Sequence, residues 1–398
     1  MNPLHDEFGS FALGFVPYGG ADVGQVEALM KQVGDGDDDA FYEAWRGAGD
    51  RLFEQAKEAE GKGHAQSARE SYLRAAGYFG IAYHPIYGKP VDPRLAETFK
   101  LEIEAFDKAL ALGDPPIESF GIPYGDTEMP GYLIPAKGNP DGKAPLLIST
   151  NGYDATVAGM YFGLGIAAAE HGYHCLLFDG PGQGKLLIEE GMTMPADWER
   201  VVTPVVDFAL GLDNVDPERI ALTGWSLGGY LAPRAASAEH RLAACIADPG
   251  LAGIMDGLKA RAAQFGVPQE QADALPEADA ETLGKLEQAL TSNPAGQWSV
   301  VKRGYWVNGG DDFASWLKAV APYTMEGRYE SIQCPTLITY GENDPLGQGA
   351  PAFHEKLRCE KRLVKFTADQ GAGDHCEMLN RPLLNRVVFD WLDGVLDR

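Results

Sequence analysis

The sequence predicts an α/β fold: a mainly parallel sheet with helices on both faces, preceded by a helical section and interrupted by a helical insertion. Three observations predict it. From about residue 41 to 115 the apolar residues follow a helical period. From Ala144 onward short apolar runs alternate with helical segments, the pattern that builds parallel strands with crossover helices. Residues 250 to about 328 suspend that alternation, which resumes at Pro335. The expected organisation is a helical N-terminal section over 1–115, a sheet core over 116–249 and 329–398, and a cap or lid over 250–328.

Residues 1 to about 40 are rich in glycine, aspartate and proline and open without a clear period. Their acidic run, Gly34-Asp35-Gly36-Asp37-Asp38-Asp39, lacks the spaced later ligands of a calcium loop. Its last aspartates are expected to cap the next helix, and no metal site is expected. Phe41, Trp45, Ala48, Leu52, Ala56 and Ala59 form one helical stripe. After Gly61-Lys62-Gly63, a second stripe holds Ala65, Ala68, Tyr72, Ala75, Ala76 and Phe79, which predicts a helical hairpin. A third helix is expected from Asp92-Pro93 to about Leu112, with proline in its first turn, and Pro115-Pro116 ends the section.

Glu118 to Tyr124 and Gly131 to Ile134 predict an antiparallel pair around Gly125-Asp126. Strands follow at Pro145 to Thr150, Tyr173 to Phe178, Arg219 to Thr223 and Leu242 to Ala247, with helices at Met160 to His171 and Trp198 to Leu212. Within the insertion, Leu258 to Phe265 and Ala280 to Leu290 are expected to be helical, and Trp298, Trp306 and Trp316 follow. Strands at Pro335 to Tyr340 and Arg362 to Phe366, then a helix from about Glu377 to Leu396, close the chain.

Composition narrows the function. The 398 residues are 45% hydrophobic and 23% charged, enough for a sizeable core. With 58 acidic against 33 basic residues the net charge is −25, which repels phosphate backbones and anionic membranes. No nucleic-acid or membrane partner is expected. Cys175, Cys245, Cys334, Cys359 and Cys376 are scattered without metal-ligand spacing, as reduced thiols of a cytoplasmic protein would be. No leader-like or membrane-length apolar run is seen.

The chemistry centres on Gly224-Trp225-Ser226-Leu227-Gly228-Gly229, which follows the strand at Ile220 to Thr223 and opens a helical pattern. Gly-x-Ser-x-Gly alone is a weak signal, but between strand and helix it predicts a strained turn that presents a nucleophilic serine. The Leu227 N–H, at the helix start, is an expected oxyanion donor. A serine hydroxyl needs a base, and the base an orienting carboxylate, in the chain order Ser, Asp, His. Of eight histidines, His375 is the one between the last strand and the last helix. Asp344, after the strand ending Tyr340-Gly341 and stiffened by Pro345, is the expected acid, with Glu342 and Asp374 as competitors.

The second oxyanion donor is expected from Asn151-Gly152-Tyr153-Asp154, at the Tyr153 N–H. Asp179-Gly180-Pro181-Gly182-Gln183-Gly184 lacks the ending of a phosphate loop and is expected to be a structural turn. Asp154 in the Asn151–Asp154 loop, Trp225 beside Ser226 and Asp248 at the edge where Ser226 should emerge are expected substrate contacts. So are Arg303, Tyr305 and Trp306, an aromatic and cationic mix that suits a flat or conjugated compound. The competing expectation is that the insertion's tryptophans are ordinary core.

These motifs and the helical N-terminal section resemble the α/β-hydrolase superfamily. They are most similar to the branch of 2,6-dihydroxypseudooxynicotine hydrolase and the fungal polyketide-shortening hydrolases of pigment synthesis, over about residues 40–398. The resemblance implies a homodimer, no cofactor, and cleavage of C–C bonds beside a ketone, with esterases among other relatives. The expected function is a serine hydrolase that acts through an acyl-enzyme on a small ester, amide or activated ketone. An acyltransferase or cyclase using the same three residues is the alternative, with esterase or peptidase activity further behind. A ligand-binding module without catalysis is disfavoured by the intact set of Ser226, Asp344 and His375.

Overall fold

The computed structural model describes residues 2–262 and 266–397. The N-terminal section contains α1 (Pro3–Phe15), α2 (Val23–Val33), α3 (Asp38–Gly61), α4 (Ala65–Ala82) and α5 (Pro93–Ala111). The α3–α4 hairpin forms as its two stripes predict. Phe41, Trp45, Leu52, Ala56, Ala68, Tyr72, Ala76 and Phe79 are buried, while Ala59 is half-buried and Ala65 exposed. Asp37 caps α3 by accepting from the Ala40 N–H at 3.0 Å. The neighbouring carboxylates tie elements together: Asp38 meets His5 and Lys302, each at 2.9 Å, and Asp39 meets Arg94 at 2.7 Å. Among the described residues no cluster could hold a metal ion.

The first 40 residues depart from expectation, because α1 and α2 are regular helices. Glycines inside α1 lower helix propensity and suggest a loop. They are there for packing: a Cβ on Gly9 would fall 2.1 Å from Met30 Sδ, and one on Gly14 would fall 2.4 Å from the Met378 carbonyl oxygen. α1 thereby lies directly against the segment that follows His375.

The sheet runs β1 (Ser119–Tyr124), β2 (Thr127–Ile134), β3 (Ala144–Thr150), β4 (His174–Phe178), β5 (Val215–Trp225), β6 (Ala244–Asp248), β7 (Thr336–Gly341) and β8 (Lys361–Phe366). Its spatial order is β1-β2-β4-β3-β5-β6-β7-β8. The β1–β2 and β2–β4 pairs are antiparallel and the others parallel, the predicted mainly parallel sheet. β3, β4 and β6 are buried along their whole length, as strands covered on both faces must be.

Between the strands lie α6 (Val157–Met160) and α7 (Ile166–Glu170), joined by a π-helical segment at Tyr161–Gly165, then α8 (Gly184–Ile188), α9 (Glu199–Leu210) and α10 (Gly228–Ala236). Residues between β6 and β7 form α11 (Ile254–Ala262), α12 (Gln269–Asp273), α13 (Ala280–Thr291) and α14 (Pro294–Gly296). A π-helix (Gln297–Gly304), α15 (Tyr305–Asn308) and α16 (Phe313–Val320) complete this insertion. Its first helix was expected to end at Phe265, which lies outside the described residues. The insertion packs on the N-terminal section. The Trp298 indole donates to the His84 carbonyl at 2.6 Å, and the Phe8 and Trp298 rings meet at 4.8 Å.

After β7 come α17 (Ala350–Lys356) and, after β8, α18 (Arg381–Val395). The last helix was expected from Glu377 and begins later. Cys376 and Glu377 have φ of 54° and 50°, left-handed values that a continuing α-helix excludes. Among the described residues no helix is long and apolar enough to cross a membrane. The five cysteines are unpaired, and four are buried.

Candidate active site

β5 ends at Trp225 and α10 begins at Gly228, so the chain reverses within two residues. That turn forces Ser226 to φ = 56°, a left-handed strain of about 1–3 kcal/mol for a residue with a Cβ. Its N–H donates to the Asp248 carbonyl at 2.6 Å, and its carbonyl accepts from Gly229 N–H at 2.9 Å. The glycines are needed for close approach. A Cβ on Gly224 would lie 2.1 Å from the Gly228 carbonyl oxygen, and one on Gly229 would lie 1.8 Å from that of Pro249.

Three expected residues meet here. Ser226 Oγ lies 3.0 Å from His375 Nε2, and His375 Nδ1 lies 2.9 Å from Asp344 Oδ2. A carboxylate accepts and does not donate, which places the proton on Nδ1 and leaves Nε2 as acceptor for the serine hydroxyl. Asp344 is buried, and its other oxygen accepts from Leu346 N–H at 2.9 Å. Burial works to lower the His375 pKa, but the Asp344 hydrogen bond and charge, with Asp248 and Glu7 beyond, outweigh it and raise the pKa above 6.5. The competing acids are turned elsewhere. Glu342 pairs with Lys365 at 2.8 Å, and Asp374 accepts from Leu379 N–H at 3.0 Å.

The Asn151–Asp154 loop lies beside this line. A Cβ on Gly152 would fall 2.9 Å from Ser226 Cβ and 3.4 Å from Leu227 N. The Tyr153 and Leu227 N–H groups donate to no group among the described residues. The Tyr153 ring is anchored in the insertion, its hydroxyl donating to Asn308 Oδ1.

Asp154 meets Arg303 Nη1 at 2.7 Å. Burial raises its pKa, but the Arg303 and His84 charges prevail and hold it below the usual carboxylate value. The Arg303 guanidinium lies over Tyr153 at 4.4 Å and Trp298 at 4.7 Å.

Four other expected contacts are engaged in packing. Trp225 is buried beneath the Arg381 guanidinium, which lies 4.6 Å from its ring. The Asp248 carboxylate accepts from Thr339 Oγ1 at 3.0 Å and lies 3.5 Å from Arg381 Nη1. Its place beside Ser226 is filled by its backbone. Trp306 is buried against Tyr87 at 4.6 Å, and the half-buried Tyr305 ring lies 6.2 Å from Trp316. A strand-end position specifies nearness to a site but not the side to which a side chain turns.

Three further neighbours were not among the expected residues. Glu7 of α1 lies within electrostatic reach of His375, Asp154 and Arg303. Cys376 Sγ sits 3.1 Å from Ser226 N and 3.5 Å from His375 Nε2, and burial keeps the thiol neutral by raising its pKa well above 9.0. Glu377 is fully buried beside Asp248, and burial, then that carboxylate, push its pKa well up. Only adjacency to His375 could have singled out the last two.

Comparison with known proteins agrees with this fold. A family model described as the alpha/beta hydrolase family matches residues 146–384, and the chain belongs to that family. It is similar to 20-hydroxy-prefusarin hydrolase FUS2 of Gibberella moniliformis, with 32% identity over 96% of this chain and 94% of that one. It is similar to hydrolase LUC6 of a Fusarium species at 30% identity, again over 96% and 94%. In fold it resembles the crystal structure of 2,6-dihydroxy-pseudo-oxynicotine hydrolase, with a TM-score of 0.74 at 23% identity over 96% of this chain and 95% of that one. The family and its named relatives make this chain a hydrolase.

Proposed function

We propose that this hydrolase works through a serine acyl-enzyme on a small ester, amide or activated ketone. The observation that carries the reading is the hydrogen-bonded line from Ser226 through His375 to Asp344, set on a strained strand-to-helix turn. Ser226 Oγ attacks the substrate carbonyl while His375 Nε2 takes its proton. Asp344 holds the imidazole tautomer and stabilises the imidazolium. The developing oxyanion is met by the Leu227 and Tyr153 N–H groups. Collapse expels the alcohol, amine or stabilised carbanion, which takes the proton back from His375. Water, deprotonated by His375, then releases the acid and restores Ser226.

Neutral His375 is the working base, so acid should suppress the reaction. The acid limb of kcat/KM is expected above pH 6.5, since the His375 pKa is raised, with activity falling as pH drops through it. A pH series on the purified protein checks this, and full activity maintained well below pH 6 would contradict it.

The Arg303–Asp154 pair, flanked by Tyr153 and Trp298, supports a substrate with a conjugated or hydroxylated body. The name of the 20-hydroxy-prefusarin hydrolase relative agrees with this class. Arg303→Gln should change relative kcat/KM between acidic phenolic or enolic esters and plain alkyl esters by about tenfold or more. An equal loss on every substrate would make Arg303 scaffolding. On this reading residues 250–328 act as a cap over the site, and the chain works as a homodimer in the cytoplasm, a state that analytical ultracentrifugation would test.

A further inference from the structure

The turn Asp179–Gly184 remains without a role in the scheme above, yet it touches the loop expected to hold the second oxyanion donor. Gln183 is fully buried. Its amide nitrogen donates to the Asn151 carbonyl at 3.0 Å and to the Gly152 carbonyl at 2.9 Å. Its amide oxygen accepts from Gly180 N–H at 2.9 Å, which fixes the orientation of the amide. Asp179 adds a second tie by accepting from the Asn151 side-chain amide. Burial pushes the Asp179 pKa up to about 8, so this tie works without a buried charge at neutral pH.

The Gly152 carbonyl belongs to the same peptide unit as the Tyr153 N–H. A trans peptide is planar and points its C=O and N–H in opposite directions. A donor gripping the Gly152 oxygen therefore fixes where the Tyr153 N–H points, and it polarises that N–H toward a stronger bond. The Tyr153 hydroxyl, bound to Asn308, restrains the same residue from the other side.

We propose that Gln183 is a positioning residue for the oxyanion site: it clamps the Gly152–Tyr153 peptide by its oxygen so that the Tyr153 N–H faces the Ser226 reaction centre. This rests on the serine acyl-enzyme reading. Gln183 touches no reacting atom and acts through the peptide it holds. Its loss should weaken transition-state binding and leave ground-state binding almost intact.

The test compares wild type, Gln183→Met and Gln183→Glu. Met keeps the volume and loses every hydrogen bond, whereas Glu keeps the Gly180 contact and loses the paired N–H donors. The measurements are kcat and KM on p-nitrophenyl butyrate, Ki for phenylboronic acid, the rate of fluorophosphonate labelling, and Tm. For Gln183→Met we expect kcat to fall about 10- to 100-fold with KM within about twofold, the scale of a misaimed donor. Boronate affinity and labelling rate should fall in parallel with kcat, because both form a tetrahedral centre at Ser226. Should the Met variant fail to fold, Gln183→Glu carries the same expectation with a kcat loss at least as large, because its carboxylate faces the Asn151 and Gly152 carbonyl oxygens with no donor. Unchanged boronate affinity and kcat in a folded variant would overturn the clamp, as would equal losses in KM and in the labelled fraction. If wild type itself is not labelled at Ser226, the acyl-enzyme reading fails instead, which separates the two claims.

Discussion

Ser226→Ala is expected to abolish turnover, with kcat falling by about 10⁴- to 10⁶-fold while the fold survives. The oxygen removed is the one 3.0 Å from His375 Nε2, and nothing else in the described site offers a comparable nucleophile. Cys376, the nearest candidate, is a buried thiol whose pKa is raised well above 9.0, so almost no thiolate exists near neutral pH. Alanine keeps the Cβ and therefore the left-handed strain at φ = 56°, and the Ser226 N–H bond to the Asp248 carbonyl is unaffected. Stability should thus change by no more than about 1 kcal/mol, the worth of one hydrogen bond. Steady-state kinetics with thermal unfolding of the same sample check both parts. Substantial turnover in the purified variant would remove Ser226 from its role.

The second large effect is expected at Asp344. Asp344→Asn keeps the shape but offers an N–H toward His375 Nδ1, which favours the wrong imidazole tautomer. A loss of about 10⁴-fold in kcat follows from that tautomer change. The acid limb of the pH profile should also move down, because the hydrogen bond and charge that raise the His375 pKa are removed. Glu342→Gln and Asp374→Asn should have far smaller effects, since their carboxylates serve Lys365 and Leu379 N–H. If Asp374→Asn were the most damaging of the three, the assignment of the acid would be wrong.

The strand-to-helix turn at Ser226 and the positions of Asp344 and His375 were legible because each depends on chain order around a sheet. Alternating apolar runs fix the strands, and the strands fix which loops share one edge. The α3–α4 hairpin was legible for a similar reason, since apolar residues at helical spacing need one partner face. The first 40 residues were not. Gly9 and Gly14 weaken the helical signal of α1, and their purpose lies at Met30 and Met378, contacts that no local pattern encodes.

Side-chain direction was the other blind spot. Trp225 and Asp248 sit at strand ends beside Ser226, yet their side chains turn to Arg381 and Thr339. Gln183 was hidden by the same limit. A glycine-rich turn after a strand suggests backbone geometry, and nothing in its spacing reveals that the one amide side chain reaches Asn151 and Gly152.

A covalent intermediate at Ser226 is the centre of the proposed reaction, and trapping it is the most direct test. The protein is mixed with p-nitrophenyl butyrate, quenched in acid within milliseconds and digested with trypsin, which releases Ile220–Arg234 as the peptide carrying Ser226. This peptide is expected to gain the mass of one butyryl group, the gain to decay with turnover, and Ser226→Ala to show none. An acyl group on a different peptide, or full turnover with this peptide never modified, would contradict the proposed reaction.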